Sequence, residues 1–211
     1  KWHANFLHWQ YNVPVEHAYN GSDISDYPLV EEKEPYAIFM ARVMQEKGAL
    51  EAVTIFREWI KMGHIDYGLI MGEDQYVSNQ SYVVAVQQRC DGREVIYMGT
   101  APQEMKIDLL SHAKSLISPL MPPYAEICGL ATVEALSCGT PVISVDSGAA
   151  REIITPETGI VVHEWSDVID NYPSLAKIES KACRLRAEEF SPDNMAIRYE
   201  QLIQKAMEGG W

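Results

Sequence analysis

Six runs of about five apolar residues, at 36–41, 67–71, 94–98, 115–119, 141–145 and 159–162, punctuate the chain in the pattern of strands buried on both faces. Between them, apolar positions recur at helical spacing. Ala49, Ala52, Val53, Phe56 and Ile60 predict an amphipathic helix over 49–62, closed by Gly63. Helices are likewise expected over 80–89, from Pro102 to about Ala113, from Gly129 to Gly139, and briefly after Ala150. The remainder beyond 162 reads as helical. Ser191 caps and Pro192 opens the last helix, which carries Met195, Tyr199, Leu202 and Ala206 on one face. Strands alternating with helices in this way predict an α/β domain, a Rossmann-like parallel sheet with helices on both faces. Ligands of such sheets bind beyond the carboxyl ends of the strands, so a site is expected among loops 42–48, 72–79, 99–103, 119–129 and 146–149.

The first residues break this rhythm. Residues 1–19 start at Lys1 rather than Met and run through an aromatic-rich segment without a strand–turn lead-in. They read as a short helix or extended arm ending near Pro14, the remnant of a preceding N-terminal domain or an interdomain arm. The turn at Asn20-Gly-Ser-Asp23 and the charged stretch from Pro28 to Pro35 make 20–35 a hinge or linker. Residues 36–211 form the principal domain.

Composition narrows the function classes. The 211 residues are 47% hydrophobic, enough for a substantial core, and carry a net charge of −13. That charge argues against nucleic acid and anionic membrane surfaces as partners, because phosphate neutralisation needs clustered cations. A bound phosphate must therefore meet a locally positive site. The four cysteines (Cys90, Cys128, Cys138, Cys183) show no CxxC spacing and read as reduced core or near-core thiols; the six histidines are scattered, so no metal is expected. No run of 18 apolar residues and no signal peptide is present, which points to a cytoplasmic location. The triplets at Asn20 and Asn79 match the glycosylation pattern but read as ordinary turns. No GxGxxG follows a strand, and Walker A and GxSxG patterns are missing, which sets aside nicotinamide and P-loop chemistry.

Two constellations carry candidate chemistry. Glu126 and Glu134 stand eight apart, about 80° apart if they lay on one continuous helix. Pro122, Pro123 and Gly129 place Glu126 before the helix and Glu134 on its second turn instead. The two carboxylates then flank a helix N-terminus, whose amides hold phosphate while the glutamates grip hydroxyls attached to it. The spacing alone also fits one solvated and one half-buried glutamate. Arg42 and Lys47 follow the first strand, where they can face a diphosphate or pair with neighbours such as Glu46. Each cation at about 4 Å contributes roughly 4 kcal/mol at an effective dielectric of 20, before desolvation. Two cations and a helix dipole are about the minimum set for holding a nucleoside diphosphate against this acidic background.

Together these residues resemble the C-terminal, donor-binding domain of the family 4 retaining glycosyltransferases, which have the GT-B fold. The resemblance covers about 15–210. It runs through Asn20-Gly-Ser-Asp23 at the hinge, Ala41-Arg-Val followed by Lys47-Gly48, and the Glu126–Glu134 pair with Ala135, Gly139, Pro141 and Val142 behind it. Gly148-Ala-Ala-Arg-Glu152 and Gly159-Ile-Val-Val162 complete the order. It implies that Glu126 contacts the transferred sugar, Arg42 and Lys47 bind the donor diphosphate, and Glu134 binds the ribose. It further implies that Cys128, Gly129, Leu130 and Ala131 lie under the phosphates, and that the loop at Thr100 and Ala101 reads the base. The implied substrate is a UDP-, GDP- or ADP-sugar, with no cofactor and no metal. The acceptor site would belong to an N-terminal domain outside this chain, and membrane association of a longer enzyme is not encoded here. Ala41 in place of Gly, and Cys128 in place of an aromatic, depart from the family pattern. A GT-B-fold epimerase or phosphorylase and a non-catalytic sugar-nucleotide-binding module stay open as alternatives.

Overall fold

The computed structural model describes residues 1–209; Gly210 and Trp211, which end the 36–211 range, lie outside the described residues. Six parallel strands form one sheet: β1 (Glu34–Met40), β2 (Tyr67–Met71), β3 (Val95–Gly99), β4 (Ala113–Ser118), β5 (Val142–Val145) and β6 (Gly159–Val162). Their spatial order is β3-β2-β1-β4-β5-β6, so the chain reverses its direction of travel between β1 and β4.

Ten helices accompany the sheet among the described residues. They are α1 (Trp2–Tyr11), α2 (Ala49–Lys61), α3 (Gln80–Arg89), α4 (Gln103–His112), α5 (Leu130–Ser137), α6 (Ala150–Ile153), α7 (Asp167–Asp170), α8 (Tyr172–Leu175), α9 (Ser180–Glu188) and α10 (Pro192–Met207). Strand side chains alternate between the two faces. Ala37, Phe39, Ile70, Ile117 and Ile143 pack against Val53, Phe56 and Trp59 of α2, Val86 of α3, and α7 and α8. Tyr36, Ile38, Leu69, Leu116 and Val142 pack on the other side, against Leu110 of α4, Val133 and Leu136 of α5, Ile153 of α6 and Cys183 of α9. Both faces of the sheet are therefore covered, as the apolar runs require.

Local chemistry explains most boundaries. Gly63 and Gly139 adopt positive φ just past the ends of α2 and α5, where a Cβ would be strained. Asn79 caps α3, accepting from the Tyr82 amide at 3.2 Å, which accounts for the first residue of that glycosylation-like triplet. Ser191 caps α10 by accepting from the Asn194 amide at 3.2 Å.

Some boundaries differ from the expected ones. β1 begins at Glu34, taking in Pro35, because Glu34 pairs with Ala113 ahead of a register shift that accommodates the proline. α4 ends at His112 and passes straight into β4, since Ala113 turns extended at ψ 140 and is buried. The segment after β6 is helical as expected and divides into four helices, the last opening at Pro192. The apolar face of α10 contributes no buried residue; its contacts include Arg198 Nε donating to the His17 carbonyl at 3.0 Å. All four cysteines are free thiols, with Cys138 and Cys183 buried and Cys90 and Cys128 half-buried. Among the described residues, no helix is long and apolar enough to cross a membrane.

Candidate active site

The reversal between β1 and β4 opens a crevice at the carboxyl ends of those strands, because the loops leaving them head in opposite directions. A cavity of about 440 Å³ occupies this position. Arg42 and Lys47 reach it from the loop after β1, and Glu126 from the loop after β4. Cys128, Gly129, Leu130 and Ala131 bound it at the start of α5. Residues far apart in sequence thus share one wall because the topology places their loops side by side.

The cations differ in state. Lys47 closes a short 3-10 turn, is 8% exposed, and forms an ion pair with Glu126. Its ammonium also lies 4.4 Å from the centre of the Tyr124 ring, a cation–π contact. Arg42 has no side-chain partner among the described residues. The neighbouring loops are tied together: the Met121 amide donates to the Glu46 carbonyl at 3.0 Å, and the Ala149 amide donates to the Glu126 carbonyl at 2.8 Å. Gly148, at φ 58, lies where a Cβ would meet the Glu126 carbonyl oxygen at 2.1 Å, so only glycine lets the loop after β5 close over Glu126.

The start of α5 is open. Gly129 takes φ 58 and ψ 48, and no side chain caps the helix. The amides of Leu130 and Ala131 have no partner among the described residues and are left for an outside acceptor, together with the positive end of the helix dipole, while the Thr132 amide donates to the Gly129 carbonyl at 2.9 Å. Thr132, Ser118 and Ser144 also line the cavity and were not singled out by sequence. Their positions one turn into α5 and near the strand ends were the available signal. Ala41 and Cys128, the two departures from the family pattern, both line the cavity without adding charge.

Glu134, Thr100 and Ala101 lie outside the cavity lining. Glu134 points toward α4, where Lys106 donates to its Oε1 at 2.8 Å and the Tyr27 hydroxyl donates to the same oxygen at 3.0 Å. Gln103, just beyond Thr100 and Ala101, donates from Nε2 to the Tyr27 hydroxyl at 3.3 Å. The start of α4 is therefore connected to Glu134 through the side chains of Gln103 and Tyr27. Burial, then the Glu134 charge, raises the Tyr27 phenol well above its ordinary value, so it donates across the neutral pH range. Sequence reasoning placed Tyr27 in the linker and left Lys106 unmarked.

A doubly covered parallel sheet with a crevice at its reversal point defines a Rossmann-like α/β domain. The Glycosyl transferases group 1 family model matches residues 22–182, and the chain belongs to that family. The D-inositol 3-phosphate glycosyltransferase of Mycobacterium bovis is 33% identical over 104 residues, covering 44% of this chain and 22% of that protein. AviGT4, a glycosyltransferase involved in Avilamycin A biosynthesis, superposes with a TM-score of 0.75 at 25% identity, over 94% of this chain and 60% of its own. A sucrose-phosphate synthase from Thermosynechococcus elongatus gives a TM-score of 0.78 at 21% identity, over 97% and 56% respectively, a likeness of fold alone. The chain thus spans 22% of the curated relative and no more than 60% of either structure.

Proposed function

We propose that this chain is the donor-binding half of a retaining glycosyltransferase that moves a hexose-type sugar from a nucleoside-diphosphate sugar to an acceptor. One observation carries the reading. An arginine with no side-chain partner among the described residues, a lysine–glutamate pair and an uncapped helix start converge on a single cavity at the reversal point of the sheet. Transfer breaks the bond between the anomeric carbon and the diphosphate oxygen, and the diphosphate leaves with the electron pair. The acceptor hydroxyl forms the new bond and gives up its proton to the departing diphosphate oxygen. Arg42, Lys47 and the amides of Leu130 and Ala131 meet the charge that grows on the leaving group, an oxyanion-type stabilisation. Glu126 holds the transferred sugar while its other side faces Lys47. Glu134 takes the ribose through Oε2, which has no donor among the described residues, and the loop at Thr100 and Ala101 reads the base.

In this reading protein cations take the leaving-group charge, no metal or cofactor is assigned, and a preceding N-terminal domain supplies the acceptor. A cytoplasmic setting fits the four free thiols. Isothermal titration of the chain with UDP, GDP and ADP tests the reading. One of the three is expected to bind, and Arg42→Ala to weaken it about tenfold or more, the loss of a charged contact. Failure of all three to bind overturns the proposal. In the longer enzyme, turnover that persists in EDTA and product of unchanged anomeric configuration are the expected companion results.

A further inference from the structure

Three elements meet at Glu134: α5, which carries it, α4, which brings Lys106 and Gln103, and the linker, which brings Tyr27. The Tyr27 hydroxyl and the Lys106 ammonium both donate to Oε1, at 3.0 and 2.8 Å. The side chains of Lys106 and Glu134 are 21% and 18% exposed, so water competes only weakly for this pair. Tyr27 is itself fixed. It is 5% exposed, and its carbonyl accepts from Arg184 Nη1 at 2.6 Å. The same nitrogen donates to the Ser137 carbonyl at 2.7 Å, at the end of α5.

We infer that Tyr27 and Lys106 are positioning residues for the donor: they hold Oε1 of Glu134 so that Oε2 meets the ribose hydroxyls of a nucleoside diphosphate. The inference rests on the reading of Glu134 given above. A glutamate loses rotamer freedom when it grips a ligand, and one already clamped by two donors loses less. Lys106 has a second effect. It offsets a carboxylate charge that would otherwise repel the incoming diphosphate. The linker thereby contributes a residue to the donor site, although it lies outside the sheet. A clamp serving only to join linker, α4 and α5 would change stability without changing how the ribose is discriminated.

The test compares UDP, GDP and ADP with their 2′,3′-dideoxy counterparts by calorimetry on the whole chain. Wild type is expected to prefer the ribose form of its nucleotide by about tenfold or more, the size of a hydrogen bond to a charged group. Tyr27→Phe is expected to shrink that ratio at least threefold while leaving dideoxy affinity unchanged. Lys106→Met is expected to weaken both forms, most at low salt, and the ribose form more, so that the ratio shrinks here as well. Melting curves accompany each variant, and Lys106→Met gives a second reading of the ratio should Tyr27→Phe fail to fold. An unchanged ratio in Tyr27→Phe, or in Lys106→Met where Tyr27→Phe is unfolded, overturns the positioning role and leaves the donor site standing. Wild-type binding with no ribose preference removes the role of Glu134 and this inference with it. Binding of none of the nucleotides overturns the functional reading itself.

Discussion

Lys47 shows how much one side chain can be asked to do. At 8% exposure its ammonium is matched by the Glu126 carboxylate and the Tyr124 ring, so the pair enters the ligand-free protein already neutralised. On the proposed reading, a diphosphate arriving beside Lys47 adds a second anion to a cation that has one, and Arg42, which has no side-chain partner among the described residues, supplies the remaining charge. Removing Lys47 leaves Glu126 exposed to the phosphates with no counter-ion. In the longer enzyme Lys47→Ala is therefore expected to lower turnover by roughly 10²–10³, comparable to loss of one oxyanion donor. A change under threefold would remove the role. Stability gives a separate check, because Lys47→Ala and Glu126→Ala, alone and together, close a double-mutant cycle. A coupling of about 0.5–3 kcal/mol is expected, in the range for residues in direct contact. These residues could be picked out in sequence because each lies in a loop that leaves the carboxyl end of a strand. Tyr27 and Lys106 could not. Their meeting with Glu134 spans 107 and 28 residues, and no local pattern encodes it.

At the level of elements, legibility followed burial. β2 and β6 could be read to the residue because both faces of the sheet are covered, which forces an unbroken apolar run. The junction of α4 and β4 was less readable, since a helix that turns into a strand without a loop shows neither glycine nor proline. The linker was read as a charged connector, yet Lys33 binds it to two helix ends. Its Nζ donates to the Ser111 carbonyl at 2.7 Å in the last turn of α4, and to the Cys138 carbonyl at 3.1 Å just past α5. It also donates to Thr140 Oγ1 at 3.0 Å. A cation is favoured at such carbonyls, but burial pushes the amine down to about 8 from 10.5. Between those values the unfolded chain keeps the proton and the folded chain has released it, so raising the pH favours folding. The stability gap between wild type and Lys33→Met is therefore expected to widen from pH 7.5 to 9.5. The slope is at most about 1.4 kcal/mol per pH unit, less where water screens the amine. Cys138 and Cys183 are raised by burial and act in the opposite sense; the Lys33 charge lowers both, so only the burial part of their effect is common to the two proteins. Urea denaturation across that range decides it, and a constant gap would mean that Lys33 stays charged in the fold.

For the whole molecule, sheet order was the feature least open to sequence. Alternating strands and helices fit more than one order, and the reversal between β1 and β4 is what converts two remote loops into one crevice. The net charge of −13 then acts on that crevice from outside. On the proposed reading, carboxylates spread over the surface repel an anionic nucleotide at long range, whereas Arg42, Lys47 and the start of α5, which line the crevice, attract it only at contact. Salt separates the two fields, because the screening length is about 10 Å at 0.1 M and partly buried pairs are screened much less than distant surface charges. Adding salt should thus remove more repulsion than attraction during approach. The association rate of the cognate nucleoside diphosphate is expected to rise as ionic strength increases from about 0.02 to 0.2 M, with the dissociation rate changing less. Stopped-flow binding of a fluorescent nucleotide measures both rates. An association rate that falls with salt, as it does for basic sites that steer anions in, would show that the local cations dominate even at a distance, and the acidic surface would then have no part in controlling entry.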